Sequence, residues 1–90
     1  MKERLVWQHK LQKAEVEHYV AQLQTKKRQI KLFQQELKRL HSLKNSPAFS
    51  QARLDDKSQE VAVATSAASE AQARLNMAKA NLRLTTISLH

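Results

Sequence analysis

Lys44-Asn45-Ser46-Pro47-Ala48-Phe49-Ser50 is the one stretch that interrupts a helical pattern running through the rest of the sequence. Pro47 is the only proline of the chain. It lacks a backbone N–H, and its ring disfavours helix at Ser46. Asn45 and the serines compete with helix by bonding their own backbone. One helix is therefore expected to end near Lys44, and another to begin between Ser46 and Ser50. Ser46 with Pro47 behind it would make an N-cap and N1 pair. Ser50 is the other candidate cap, with Asp55 and Asp56 following to complement the helix dipole. Ser50 is the preferred cap of the long helix, after a short turn.

Composition on either side of this break agrees. There is no glycine in the 90 residues, so a fold rich in tight turns, or a phosphate-cradling loop, is excluded. Ala, Leu, Gln, Lys, Arg and Glu dominate, which is the mixture of long helices and coiled coils. Trp7, Tyr19, Phe33 and Phe49 are the only aromatic residues. A core is therefore expected along a seam rather than in a compact ball. With no cysteine, disulfides and thiolate metal sites are excluded.

The arm after the break has the clearer periodicity. Leu54, Val61, Ala68, Leu75 and Leu82 recur every seven residues, and Lys57, Ala64, Ala71, Ala78 and Thr85 lie three residues after each. This is an unbroken a/d heptad register. The second column is mostly alanine, which lets two helices approach closely. Ser66, Ser69, Glu70, Gln72, Arg74 and Lys79 suit the solvent side. Ala67, Ala73 and Ala80 widen the small-residue surface toward a neighbouring copy.

The arm before the break is poorer. Val16, Leu23, Ile30 and Leu37 form one core column in a compatible register, with Val6, Lys13, Val20, Lys27 and Gln34 as the other. Tyr19, Phe33 and Leu40 flank the seam. Large residues on this arm then face small ones on the other, and the polar insertions fix register at some loss of stability. A loop of about half a dozen residues favours antiparallel pairing. The fold class expected is all-α, an antiparallel two-helix coiled-coil hairpin. It is a single unit over residues 1–90, with arm one at about 3–44, the tip at about 45–50 and arm two at about 51–86. At about 1.5 Å per residue each arm is about 50–60 Å long. So thin a rod is marginally stable alone and is expected to work in a bundle or attached to a larger protein.

Catalytic constellations are missing from the pattern. None of His9, His18, His41 and His90 forms the i, i+4 pair with a nearby Glu that a helical zinc site uses. Asp55 and Asp56 point about 100° apart on a helix and cannot act as a carboxylate pair. They read as complements to the dipole in the first turn. Trp7 reads as a packing residue. No enzyme activity, metal or cofactor is expected. The net charge of +8 is lopsided: residues 1–44 hold eleven Lys/Arg against four Asp/Glu, and residues 45–90 hold five against four. A basic arm invites a nucleic-acid reading, but these residues ring the helix rather than forming one stripe, so a solvated surface is expected instead. The longest apolar stretch is far short of the roughly 20 residues that span a bilayer. No signal peptide precedes the first periodic residues.

Two local patterns resemble a known family. Arg39-Leu40-His41-Ser42-Leu43 running on to Ser50 is similar to the tip motif of HlyD-type periplasmic adaptor (membrane fusion) proteins, Arg-x-x-x-Leu followed seven residues later by Ser. Ala78-Lys79-Ala80-Asn81-Leu82-Arg83-Leu84-Thr85-Thr86-Ile87 is similar to that family's closing segment, A-x-x-x-L-x-x-T-x-I. The resemblance covers the hairpin alone. The family pattern continues with x-Ala-Pro, where this chain has Ser88-Leu89-His90. The resemblance implies a fragment of a larger adaptor, in the periplasm, with its parent anchored to the inner membrane. The implied role is to link an inner-membrane transporter, through domains absent here, to a TolC-like outer-membrane channel protein for efflux or secretion. Implied partners are that channel and neighbouring adaptor protomers. Arg39, Leu43 and Ser50 are the implied partner-binding residues: Arg39 as a charge-assisted donor, Leu43 as an apolar anchor, Ser50 as cap and hydroxyl contact. No nucleic acid is expected as a partner. The alternatives are a basic coiled-coil module that binds nucleic acid and a purely structural spacer.

Overall fold

The computed structural model describes residues 2–89. Two helices account for nearly all of it: α1, Lys2–Ser42, and α2, Gln51–Leu89. They fold back on each other as an antiparallel hairpin, a rod of 70 × 14 × 14 Å. A straight helix of 41 residues is about 61 Å long at its ordinary rise, so the rod is one helix long plus its tip.

The reversal is made without any residue of positive φ among those described. This suits a chain that has no glycine. α1 tightens at its end, where Leu43 N–H donates to Leu40 O at 3.2 Å and Lys44 N–H to His41 O at 3.1 Å. Such three-residue bonds satisfy the last carbonyls of a helix. Two further turns then share Ser46. Its N–H donates to Leu43 O at 2.8 Å, and its carbonyl accepts Phe49 N–H at 3.1 Å. The Ser46 hydroxyl accepts Ala48 N–H at 3.1 Å, so it stabilises the turn and does not cap the long helix. Ser50 is the cap: its Oγ accepts Arg53 N–H at 3.3 Å, and its carbonyl accepts Leu54 N–H at 3.1 Å. α1 ends two residues earlier than Lys44, because the bonds of the tightened turn replace helical ones. α2 runs three residues past the expected 86. Asp55 and Asp56 fall in the second turn of α2, not the first. Asp55 instead accepts the Gln51 side-chain amide at 2.9 Å.

The α2 register is seen residue by residue. Leu54, Ala64, Ala68, Ala71, Leu75, Ala78 and Thr85 are buried, and Lys57, Val61 and Leu82 are half-buried. The centre of the seam packs Leu23, Ala68, Ala71 and Leu75, with Val16, Tyr19, Val20 and Ile30 against them. Large side chains of α1 thus fill the space that the alanines of α2 leave. Among the described residues no large side chain is completely enclosed, as expected for a two-helix seam.

The α1 register needs one correction. The column of Val16, Leu23, Ile30 and Leu37 faces α2, but Val6, Lys13, Lys27 and Gln34 are exposed and only Val20 of that set is half-buried. The second inward column is Leu5, Gln12, Tyr19, Lys26, Phe33 and Leu40, all half-buried. Tyr19, Phe33 and Leu40 therefore form the seam rather than flank it. Gln12 and Lys26 are tolerated there because long stems can lie along apolar surface while their heads reach polar groups or water. Trp7 is 65% exposed and is not a packing residue.

Candidate partner-binding tip

The tip holds the three residues singled out by sequence. Arg39 lies three residues before the end of α1 and is exposed. Its side chain borders a shallow groove with Leu32, Gln35 and Glu36. It makes no ion pair among the described residues; the three ion pairs present involve Lys57 and Arg74. Its carbonyl accepts the Ser42 hydroxyl at 2.6 Å, which fixes the local backbone. Leu43 is half-buried, the first residue past α1. Its carbonyl accepts Ser46 N–H, so its backbone is held by the turn. Ser50 is half-buried, and its hydroxyl oxygen is engaged in the cap. The hydroxyl proton is left to donate. Thus the turn places Leu43 and Ser50 at its two ends. Arg39 stands one helical turn back along α1, its guanidinium in no ion pair among the described residues.

Just behind the tip lies a network that sequence reasoning did not find. Lys57 occupies an inward position of α2. Its Nζ reaches Glu36 Oε2 at 2.7 Å across the seam and Glu60 Oε2 at 2.8 Å along its own helix. The same Nζ sits 4.9 Å from the centre of the Phe33 ring, which adds a cation–π contact. The hydrogen bond from Lys57, more than any other influence, holds the Glu36 carboxyl below its ordinary 4.5; partial burial opposes this. The bonds to Glu36 and then Glu60 hold the Lys57 ammonium above its ordinary 10.5. A lysine at an inward position was the visible signal. Its partner was not legible, because Glu36 becomes its neighbour only once the two arms are in register.

A second polar layer closes the far end. His9 Nε2 lies 3.1 Å from Thr86 Oγ1, and the Thr85 hydroxyl bonds Gln12 Oε1 as well as the Asn81 carbonyl. Ala78, Leu82 and Thr85 of the closing segment are seam residues, whereas Ile87 is exposed. No group of three or more His, Cys, Asp or Glu side chains among the described residues is placed to hold a metal ion. Among the described residues, no helix is long and apolar enough to cross a membrane. Comparison with protein-family models, with curated proteins and with solved structures finds no match to this chain.

Proposed function

We propose that this hairpin is a docking module, the tip-binding hairpin of a HlyD-type periplasmic adaptor that engages a TolC-like outer-membrane channel. The observation that carries the reading is the placement of Arg39, Leu43 and Ser50 around the reversal of a 70 Å rod. Packing explains most of the closing-segment resemblance, because Ala78, Leu82 and Thr85 face the other helix. Packing does not explain Arg39, whose guanidinium makes no ion pair among the described residues, although Glu36 in the same groove feels its charge. A free guanidinium beside a half-exposed leucine, on a rigid backbone, suits a carboxylate or a row of carbonyls next to a small apolar pocket. The role proposed is binding, not catalysis.

The test is complementation of efflux or secretion by the parent adaptor carrying Arg39→Asp or Leu43→Asp. Both variants are expected to abolish transport at normal expression and helicity, since neither residue contributes much to the seam. Normal transport by both would overturn tip docking through these residues and leave the structural spacer as the better reading.

A further inference from the structure

The two flanks of the rod differ in apolar surface. Eight large hydrophobic side chains are exposed among the described residues. Five of them, Leu11, Leu32, Val63, Met77 and Leu84, are each more than half exposed and hold the same heptad position. Each sits two residues after an inward residue of its own helix: His9, Ile30, Val61, Leu75 and Leu82. In an antiparallel pair this position looks to the same side on both helices. The grooves of the surface show that side directly. Met77 shares one with Glu15 and Tyr19, and Val63 shares another with Gln29 and Phe33. Glu60 borders the Val63 groove and also the next one, with Leu40, Lys57 and Asp56. Leu32 borders a fourth with Glu36 and Arg39, and Glu36 is bonded to Lys57. Of the remaining three, Val6 lies on the opposite flank, and Trp7 and Ile87 on the two outer edges.

The register also fixes the levels. With Leu23 packed beside Ala71 and Glu36 beside Lys57, Leu11 lies level with Leu84, Leu32 with Val63 and Arg39 with Asp56, each to within about 1.5 Å, one residue's rise. Two apolar bands therefore cross this flank, one toward each end of the rod. Charge between and beyond them is mixed, with Glu15, Asp56 and Glu60 against Arg39, Arg53 and Arg74. The opposite flank is different. Lys10, Lys13, Lys27, Lys31, Lys38 and Lys79 are exposed along it, so it repels a copy of itself.

We propose that the apolar flank is the interface with a second copy of this chain: two hairpins pair side by side, tips at the same end, about a two-fold axis parallel to the rods. Such an axis sets α1 of one copy against α2 of the other at equal level. Leu11 then meets Leu84 of the second copy, Leu32 meets its Val63, and Arg39 meets its Asp56, each contact being made twice. Neither Arg39 nor Asp56 is in an ion pair within the chain among the described residues. Pairing with the tips at opposite ends would also superpose the apolar bands, but it sets Arg39 against Arg4 of the second copy. Charge complementarity therefore selects the parallel arrangement. The acids of this flank disfavour a nucleic acid or an anionic bilayer in its place. A flank of 70 by 14 Å gives about 1,000 Å² on each copy and about 2,000 Å² in total, at the upper end of the range for specific interfaces. The half-buried rings of Tyr19 and Phe33, which line two of the grooves, are then covered, and a thin seam becomes a four-helix bundle. This pairing does not rest on docking at the tip.

Sedimentation equilibrium of the chain over micromolar concentrations is expected to show a dimer. Leu32→Glu with Val63→Glu should weaken dimerisation by roughly 100-fold or more, since each lost contact is lost twice. Val6→Glu with Ile87→Glu adds the same charge off the flank and should leave the dimer intact. Arg39→Asp should weaken the dimer, and adding Asp56→Arg should restore it, a rescue that a folding defect does not give. A single spin label at Asn45 reads the orientation. Parallel pairing brings the two labels closer than half the 70 Å rod, whereas opposed pairing holds them near its full length. Four results each overturn the proposal: a monomer at every concentration, equal loss from the Val6/Ile87 variant, no rescue by the charge exchange, or labels near a rod's length apart. Sedimentation and spin labels read no channel, so this pairing and tip docking can fail separately.

Discussion

Lys57 of α2 and Glu36 of α1 meet at 2.7 Å across the seam, eight residues or fewer from the turn on either side. The pair ties one register of the hairpin to charge. Its two groups also shift in opposite directions, which fixes the sign of the pH response. Glu36 is held below its ordinary 4.5, so its contribution to folding is complete above that pH and is lost as pH falls through the depressed value. Lys57 is held above its ordinary 10.5, so its contribution is complete below that pH and is lost as pH rises through the raised value. Thermal melts followed by circular dichroism should show these two losses at the acid and alkaline ends. Glu36→Gln should flatten the acid limb, and Lys57→Met both limbs. Unchanged limbs in both variants would show that the pair does not persist in solution.

The centre of the seam should be the most sensitive region to changes of size. Leu23 is the one buried residue of α1 and packs between Ala68, Ala71 and Leu75. Leu23→Ala is expected to cost about 2–3 kcal/mol, the lower part of the range for such truncations, because a shallow seam collapses more readily than a deep core. Ala71→Leu should cost about 1–3 kcal/mol by forcing the helices apart. Urea titrations measure both, and a neutral Ala71→Leu would mean that the close approach at the alanine column is not required.

Ser50 separates folding from contact at the tip. Its hydroxyl oxygen caps α2 by accepting Arg53 N–H, so Ser50→Ala should lower stability by about 1 kcal/mol. Ser50→Asp keeps an acceptor at the cap and should restore the melting temperature. If the hydroxyl proton also meets a partner, as the proposed docking role requires, Ser50→Asp will melt normally yet fail in the transport assay proposed above. Recovery of both properties together would confine Ser50 to the cap.

The polar layer at the far end should act on register more than on stability. Thr85 is buried and bonds Gln12. Replacing both, Gln12→Leu with Thr85→Val, removes each partner's need for the other and should leave the melting temperature equal or higher. The same change removes a polar constraint on alignment. Spin labels at Lys13 and Arg83 should then report a broader distance distribution than in the unaltered chain. A distribution as narrow as before would place register control wholly in the Leu23–Leu75 core and the Lys57–Glu36 pair.

Much of this molecule follows from sequence without any partner contact. The absence of glycine and the dominance of strong helix formers determined two long helices. Pro47 with its neighbouring Asn and Ser residues determined where the chain turns, because local backbone chemistry acts over a few residues. The α2 seam was legible for a similar reason: Leu, Val and Ala recur there against a polar background. The second inward column of α1 was not legible. The set containing Val6 and Val20 and the set containing Tyr19 and Phe33 are both interrupted by polar residues, and periodicity alone does not separate them. The tertiary structure decided between them, since only the bulky set matches the alanines of α2 and only that alignment brings Glu36 to Lys57. A face shared by two helices depends on their register, and register is set by packing across the seam, not by either helix alone.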